Sequence, residues 1–245
     1  MNNLLRTTIV GLATGIIGTG AGGALAFIIK RPKKRFLSGA LGLSSGLMIA
    51  VVTFELIPEA FLISGIFLTS LGVAIGGFLT SYLDIIITRL QGGGGSQGQA
   101  YIKTGILVGV GIALHNFPEG LAIGSGFAAQ TRLGLGLAIV IGLHNMPEGI
   151  AMVAPLGAGG YSSGKAFLWT LLAGVPMGMG ALMGALIGHY AYELIGVCLA
   201  FAGGTMLYIS LGELIPKGKD IYGGRMSTIL ALLGFIMGMI ISKKF

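Results

Sequence analysis

The chain has 245 residues, 54% of them hydrophobic and only 9% charged. A soluble domain carries roughly 25% charged residues to stay solvated, so this composition excludes an ordinary water-soluble fold. The net charge of +7 does not indicate nucleic acid, because the basic residues lie in short segments between apolar runs. Cys198 is the single cysteine, which excludes a disulfide framework and a thiolate metal cluster.

Apolar stretches able to cross roughly 30 Å of hydrocarbon occupy about 4–29, 36–62, 65–88, 102–128, 133–155, 166–188, 191–214 and 226–242. They predict an all-α polytopic membrane protein of eight transmembrane helices, a single transmembrane domain over 1–245. The first stretch lacks a small-x-small cleavage pattern and reads as a retained helix. Between the third and fourth spans, 89–101 reads as a flexible Gly-rich linker whose Gly92–Ser96 matches an engineered GGGGS spacer. It lacks the Lys-Ser/Thr ending of a nucleotide-binding P-loop. Asp84, with Arg89 nearby, is expected to form an ion pair at the membrane interface.

Charge orients the bundle. Eleven basic residues, including Lys33, Lys34, Arg35, Lys103 and Lys217, fall on one side, and Arg6, Arg132, Lys243 and Lys244 on the other. The positive-inside rule puts the larger set in the cytoplasm and both termini outside.

Two motifs repeat. His115-Asn-Phe-Pro-Glu-Gly120 in the fourth span matches His144-Asn-Met-Pro-Glu-Gly149 in the fifth, and consecutive spans run antiparallel. Gly46-Leu-Met48 leading to Glu55-Leu-Ile-Pro58 in the second span matches Gly204-Thr-Met206 leading to Glu213-Leu-Ile-Pro216 in the seventh. Those spans are also oppositely directed, which implies a 3+2+3 arrangement with inverted repeats, the usual build of a secondary transporter.

Glu119 and Glu148 sit near the middle of their spans, where an ionised carboxylate costs at least about 2.5 kcal/mol unless a partner or cation compensates it. At about 100° per residue, His115 at 0° puts Asn116 near 100° and Glu119 near 40°. The Glu therefore projects between His and Asn, and His/Glu or Asn/Glu can clasp an ion. His144, Asn145 and Glu148 repeat the pattern. Such nitrogen and oxygen donors suit Zn²⁺, Fe²⁺ and Mn²⁺. Pro118 and Pro147 each remove a helix donor, a break tolerated in lipid where the backbone is buried or lines a cavity.

The paired HNxPEG helices, with ELIPEA in the second span, resemble the ZIP family of zinc- and iron-regulated-type transporters over essentially the whole chain. The resemblance implies ligands His115, Glu119, His144 and Glu148, with Met48 as a thioether neighbour and Asn116 and Asn145 at an adjacent second site. Many members carry a Glu before the sixth-span proline; here Ala173-Gly-Val-Pro-Met-Gly178 has none, so one well-defined site with at most a weaker companion is expected. The resemblance further implies uptake of divalent metal, zinc first and Fe²⁺, Mn²⁺ or Cd²⁺ as alternatives. It implies a multi-pass protein of the plasma or inner membrane, a homodimer, and metal as cargo rather than catalytic cofactor. The competing reading is a membrane metallohydrolase, against which H-N-x-P-E lacks the HExxH arrangement.

Overall fold

A computed structural model describes residues 3–28, 33–90, 96–187 and 192–244. They are almost entirely helical: α1 (Asn3–Gly23), α2 (Leu25–Ile28), α3 (Lys34–Val51), α4 (Ile57–Leu90), α5 (Gln97–Ala129), α6 (Thr131–Ala158), α7 (Ser163–Ile187), α8 (Tyr192–Tyr208), α9 (Ile215–Ile221) and α10 (Met226–Lys244). Glycine and β-branched residues are poor helix formers in water, but in lipid each backbone N–H must find its partner within the helix. Six stretches are long and apolar enough to cross a membrane: Asn3–Ile28, Lys34–Ile86, Gln97–Ala128, Gly134–Ala158, Ser163–Leu186 and Glu193–Ile221; Met226–Ser242 is a shorter apolar helix. The protein is therefore a multi-pass membrane protein. Large apolar side chains such as Leu62, Phe67 and Phe78 face outward, while His115, Asn116, Glu119 and Glu148 are buried. This inverts the soluble pattern, as a lipid solvent demands.

Lys34–Ile86 spans 53 residues, which at 1.5 Å per residue is about 80 Å of continuous helix, far beyond one bilayer. It is interrupted at Gly65, whose φ of 73° is open to glycine and strained for other residues. The linker is shorter than the sequence suggests. Gln97 to Tyr101 are helical, because Ser96 and Gln99 form a reciprocal capping box at the start of α5. Residues 91–95 lie outside the described residues. The helices also run through Pro118 and Pro147 without breaking, since close neighbours hold the helix on either side of one lost hydrogen bond.

The widened turns lie elsewhere. Val52–Leu56 joins α3 to α4 and Ile209–Leu214 joins α8 to α9, both as π-helix. Each ends immediately before Ile-Pro. The proline ring denies a donor to the carbonyl four residues back (Phe54 or Gly212), and the wider turn absorbs the mismatch.

Packing divides the helices into two groups. α1, α5, α6 and α7 contact one another extensively, whereas α4 packs on α8 and α3 on α10. The groups meet mainly where α5 touches α8 and α3 touches α6. Glycine sets the close approaches. A Cβ at Gly120 would overlap the Met177 carbonyl oxygen, and one at Gly149 would overlap that of Thr19. Gly22 lies likewise against Met146 and Gly180 against Phe117; Gly46 lies against Ala231 and Gly204 against Val73. In each couple, partners in the first and last three spans differ by 158 positions, and those on α5 and α6 by 29.

Because no backbone can yield at such contacts, Gly149→Val should lower the detergent melting temperature by about 2–8 °C, the effect of an overpacking cost near 1–3 kcal/mol. Gly136→Val, where an added Cβ meets nothing within 4 Å, should leave it unchanged. Thermal scanning of both variants checks this.

Candidate metal site

The fourth and fifth expected spans are α5 and α6, which lie side by side. Helical spacing brings His115, Asn116 and Glu119 onto one face of α5, all fully buried, with Asn145 and Glu148 on the facing side of α6. His115 Nε2 lies 3.0 Å from Glu148 Oε2. The imidazole of one motif thus meets the carboxylate of the other. The two amides also meet, with Asn145 Nδ2 donating to Asn116 Oδ1 at 3.4 Å. Asn116 Nδ2 donates in turn to the Ala173 carbonyl of α7 at 2.8 Å. Glu148 Oε1 and Asn145 Oδ1 are buried with no hydrogen-bond partner among the described residues. Buried oxygens of this kind ordinarily carry a partner, and their lone pairs suit a hard or borderline cation.

The side chain of His144 lies outside the described residues; its backbone is helical within α6. Among the described residues no three His, Cys, Asp or Glu side chains form a metal-binding group. What they show is the His115–Glu148 pair, with Glu119 and two amides on the same buried surface.

Met48 is buried in the apolar core. One turn earlier on the same face of α3, Ser44 Oγ donates to the Pro147 carbonyl at 2.7 Å. Ser44 is thus a bridge from α3 into the HNxPEG segment of α6 that motif reading missed, although its place four residues before Met48 offered a signal. The Ala173 carbonyl offered none, because a backbone acceptor carries no sequence mark.

Other acidic groups lie toward the bundle ends. Glu55 Oε1 accepts from Ser242 Oγ at 2.6 Å, and Glu213 Oε1 accepts from Thr104 Oγ1 at 2.7 Å. Asp84, expected to pair with Arg89, pairs with Lys103. Its Oδ1 lies 2.8 Å from Lys103 Nζ on α5, and its Oδ2 accepts from Tyr208 at 3.0 Å. Lys103 projects from α5, so the pair links α4 to α5. His189, spaced i, i+4 from Glu193 in what the sequence reads as a solvated loop, lies outside the described residues.

The family described as ZIP Zinc transporter matches residues 88–242. A zinc transporter ZupT of Corynebacterium efficiens is 36% identical over 95% of this chain and 91% of its own. The zinc transporter ZupT of Corynebacterium glutamicum is 37% identical over 95% and 93%, and that of Clostridium perfringens 32% identical over 98% and 95%.

Glu148→Gln keeps the shape of the carboxylate and removes its charge. Zinc affinity of the purified protein, read by calorimetry or a competing chelator, should fall by more than about tenfold. Asn116→Ala, which frees the Ala173 carbonyl and the Asn145 amide together, should cost less.

Proposed function

Since the chain belongs to the ZIP zinc transporter family, we propose that it moves zinc into the cytoplasm through a site formed by His115, Glu119, His144 and Glu148 near the middle of α5 and α6. The observation that carries this reading is the 3.0 Å approach of His115 Nε2 to Glu148 Oε2 between two antiparallel helices. Two buried carboxylates supply two negative charges, which one divalent ion balances. A second ion would enter uncompensated, because α7 carries Val175 rather than a carboxylate before Pro176. The site is therefore mononuclear, with Asn116 and Asn145 bracing it and Met48 bordering it from α3. Borderline nitrogen and oxygen donors favour zinc and admit Fe²⁺, Mn²⁺ and Cd²⁺.

The fold around the site consists of eight spans. Gly65 divides Lys34–Ile86 into the second and third, and Met226–Ser242 is the eighth. The matched glycine contacts support a 3+2+3 arrangement: one shift of 158 positions relates spans one to three to spans six to eight, and one of 29 relates α5 to α6. The matched π-turns before Ile57-Pro58 and Ile215-Pro216 support the same relation.

Zinc enters from the end carrying Glu55, sheds water stepwise onto the imidazoles and carboxylates, and leaves past Asp84 and Glu213. The group α1, α5, α6 and α7 holds the ion, and its displacement against α3, α4, α8 and α10 exposes the site to each side in turn. Contacts between the groups are few enough to be exchanged, whereas the glycine contacts within each group hold it rigid. The chemistry is dehydration and rebinding of a cation, with no bond made or broken in the cargo.

In proteoliposomes, Glu148→Ala should reduce radiolabelled zinc uptake to the level of empty vesicles. Uptake equal to the unaltered protein would refute the assignment.

A further inference from the structure

The relation between the halves holds within each group of helices and fails between the groups. At one end of the bundle, α5 of the site-bearing group reaches the other group by two polar contacts: Lys103 Nζ to Asp84 at 2.8 Å and Thr104 Oγ1 to Glu213 at 2.7 Å. Tyr208 of α8 donates to the same Asp84. The shifts of 29 and 158 positions give the counterparts at the opposite end. Lys103 corresponds to Arg132 on α6, Glu213 to Glu55 and Asp84 to Ser242. There the arrangement differs. Glu55 bonds to Ser242 within its own helix group, and Arg132 is exposed, with no ion pair among the described residues.

Both charges are nonetheless on the same side of the molecule. Lys34, Gln97 and Gly157–Gly160 line one cavity, so the start of α3, the start of α5 and the end of α6 share one end. Glu55 stands 21 positions after Lys34, about 30 Å along the helix at 1.5 Å per residue. It therefore lies at the other end, where α6 begins beside Arg132.

We propose that these are two alternating latches, the Lys103–Asp84 and Thr104–Glu213 contacts closing one end in the state observed, and an Arg132–Glu55 ion pair closing the opposite end in the other state. A cation from each site-bearing helix and a carboxylate from each π-turn repeat or its neighbour thereby set the balance between the two states. Movement of the site-bearing group along the bundle axis separates Lys103 from Asp84 and brings the guanidinium to Glu55, which exchanges its hydroxyl partner for a charged one. Each pair is formed in one state alone, so each biases the equilibrium by its differential contact energy. A bidentate guanidinium–carboxylate pair and an ammonium pair of intermediate exposure are similar enough to keep both states populated.

The inference rests on the transport reading for its two states, but its test requires no metal flux. Full-length protein carrying Cys198→Ser, Glu55→Cys and Arg132→Cys is reconstituted in liposomes and treated with a mild oxidant, with disulfide formation followed over time. The pair should cross-link. Adding Lys103→Ala, or separately Asp84→Asn, should raise the rate about threefold or more, the factor expected for losing a partly exposed ion pair. No cross-link in any of the three backgrounds, or a rate unchanged by both latch substitutions, would overturn the proposal. If Glu148→Ala left zinc uptake intact while the cross-linking followed this pattern, the assignment of the site to Glu148 would fail and the latches would stand.

Discussion

Charge deep in a lipid-facing bundle is the constraint from which the other features follow. Glu119 and Glu148 are 0% and 1% exposed, and at that depth an ionised carboxylate persists only beside compensating charge. The imidazole of His115 meets one of them from the neighbouring helix, and the proposed divalent cargo would neutralise both. The rest of the structure brings the two helices close enough for a single ion to bridge them. Gly120 packs against α7 and Gly149 against α1, where a side chain at either position would collide with backbone. The abundance of glycine in the chain therefore reflects close helix packing more than flexibility.

Duplication explains how one chain can present the same chemistry to two sides. On the proposed transport reading, an HNxPEG segment pointing each way makes the centre nearly indifferent to direction, and directionality arises at the ends. There the halves have diverged: an Asp stands where its counterpart is Ser242, and Lys103 where its counterpart is Arg132. Both ELIP segments keep the π-turn, which sets Glu55 and Glu213 at matched, partly buried positions. A mid-helix π-turn is energetically poor and recurs at functional sites. Its presence in both halves gives it a role in carboxylate placement.

Much of this was legible in the chain itself. The meeting of the two HNxPEG motifs followed from i, i+4 spacing and antiparallel adjacency, and the structure brings His115 to Glu148. The expected boundary between the spans ending at 62 and starting at 65 falls at Gly65, whose backbone angle interrupts the apolar run. The start of α5 was misjudged because Ser96 and Gln99 look like linker residues until their reciprocal cap is seen. Asp84 was assigned to Arg89, near in sequence, when its partner Lys103 is near only in space. The bracing of Asn116 by the Ala173 carbonyl left no trace in residue identity. Local chemistry is written in sequence, whereas contacts between helices depend on packing that periodicity does not specify.

On the proposed function, α5 and α6 jointly enclose one zinc ion in a shell of imidazole and carboxylate donors. X-ray absorption at the zinc edge, on purified protein loaded with one equivalent, reads that shell directly. The account requires a four- or five-coordinate nitrogen/oxygen environment, with the outer-shell scattering of two imidazoles that falls to one in His115→Ala. A thiolate sulfur in the first shell, or a fully hydrated ion unchanged by that substitution, would contradict it.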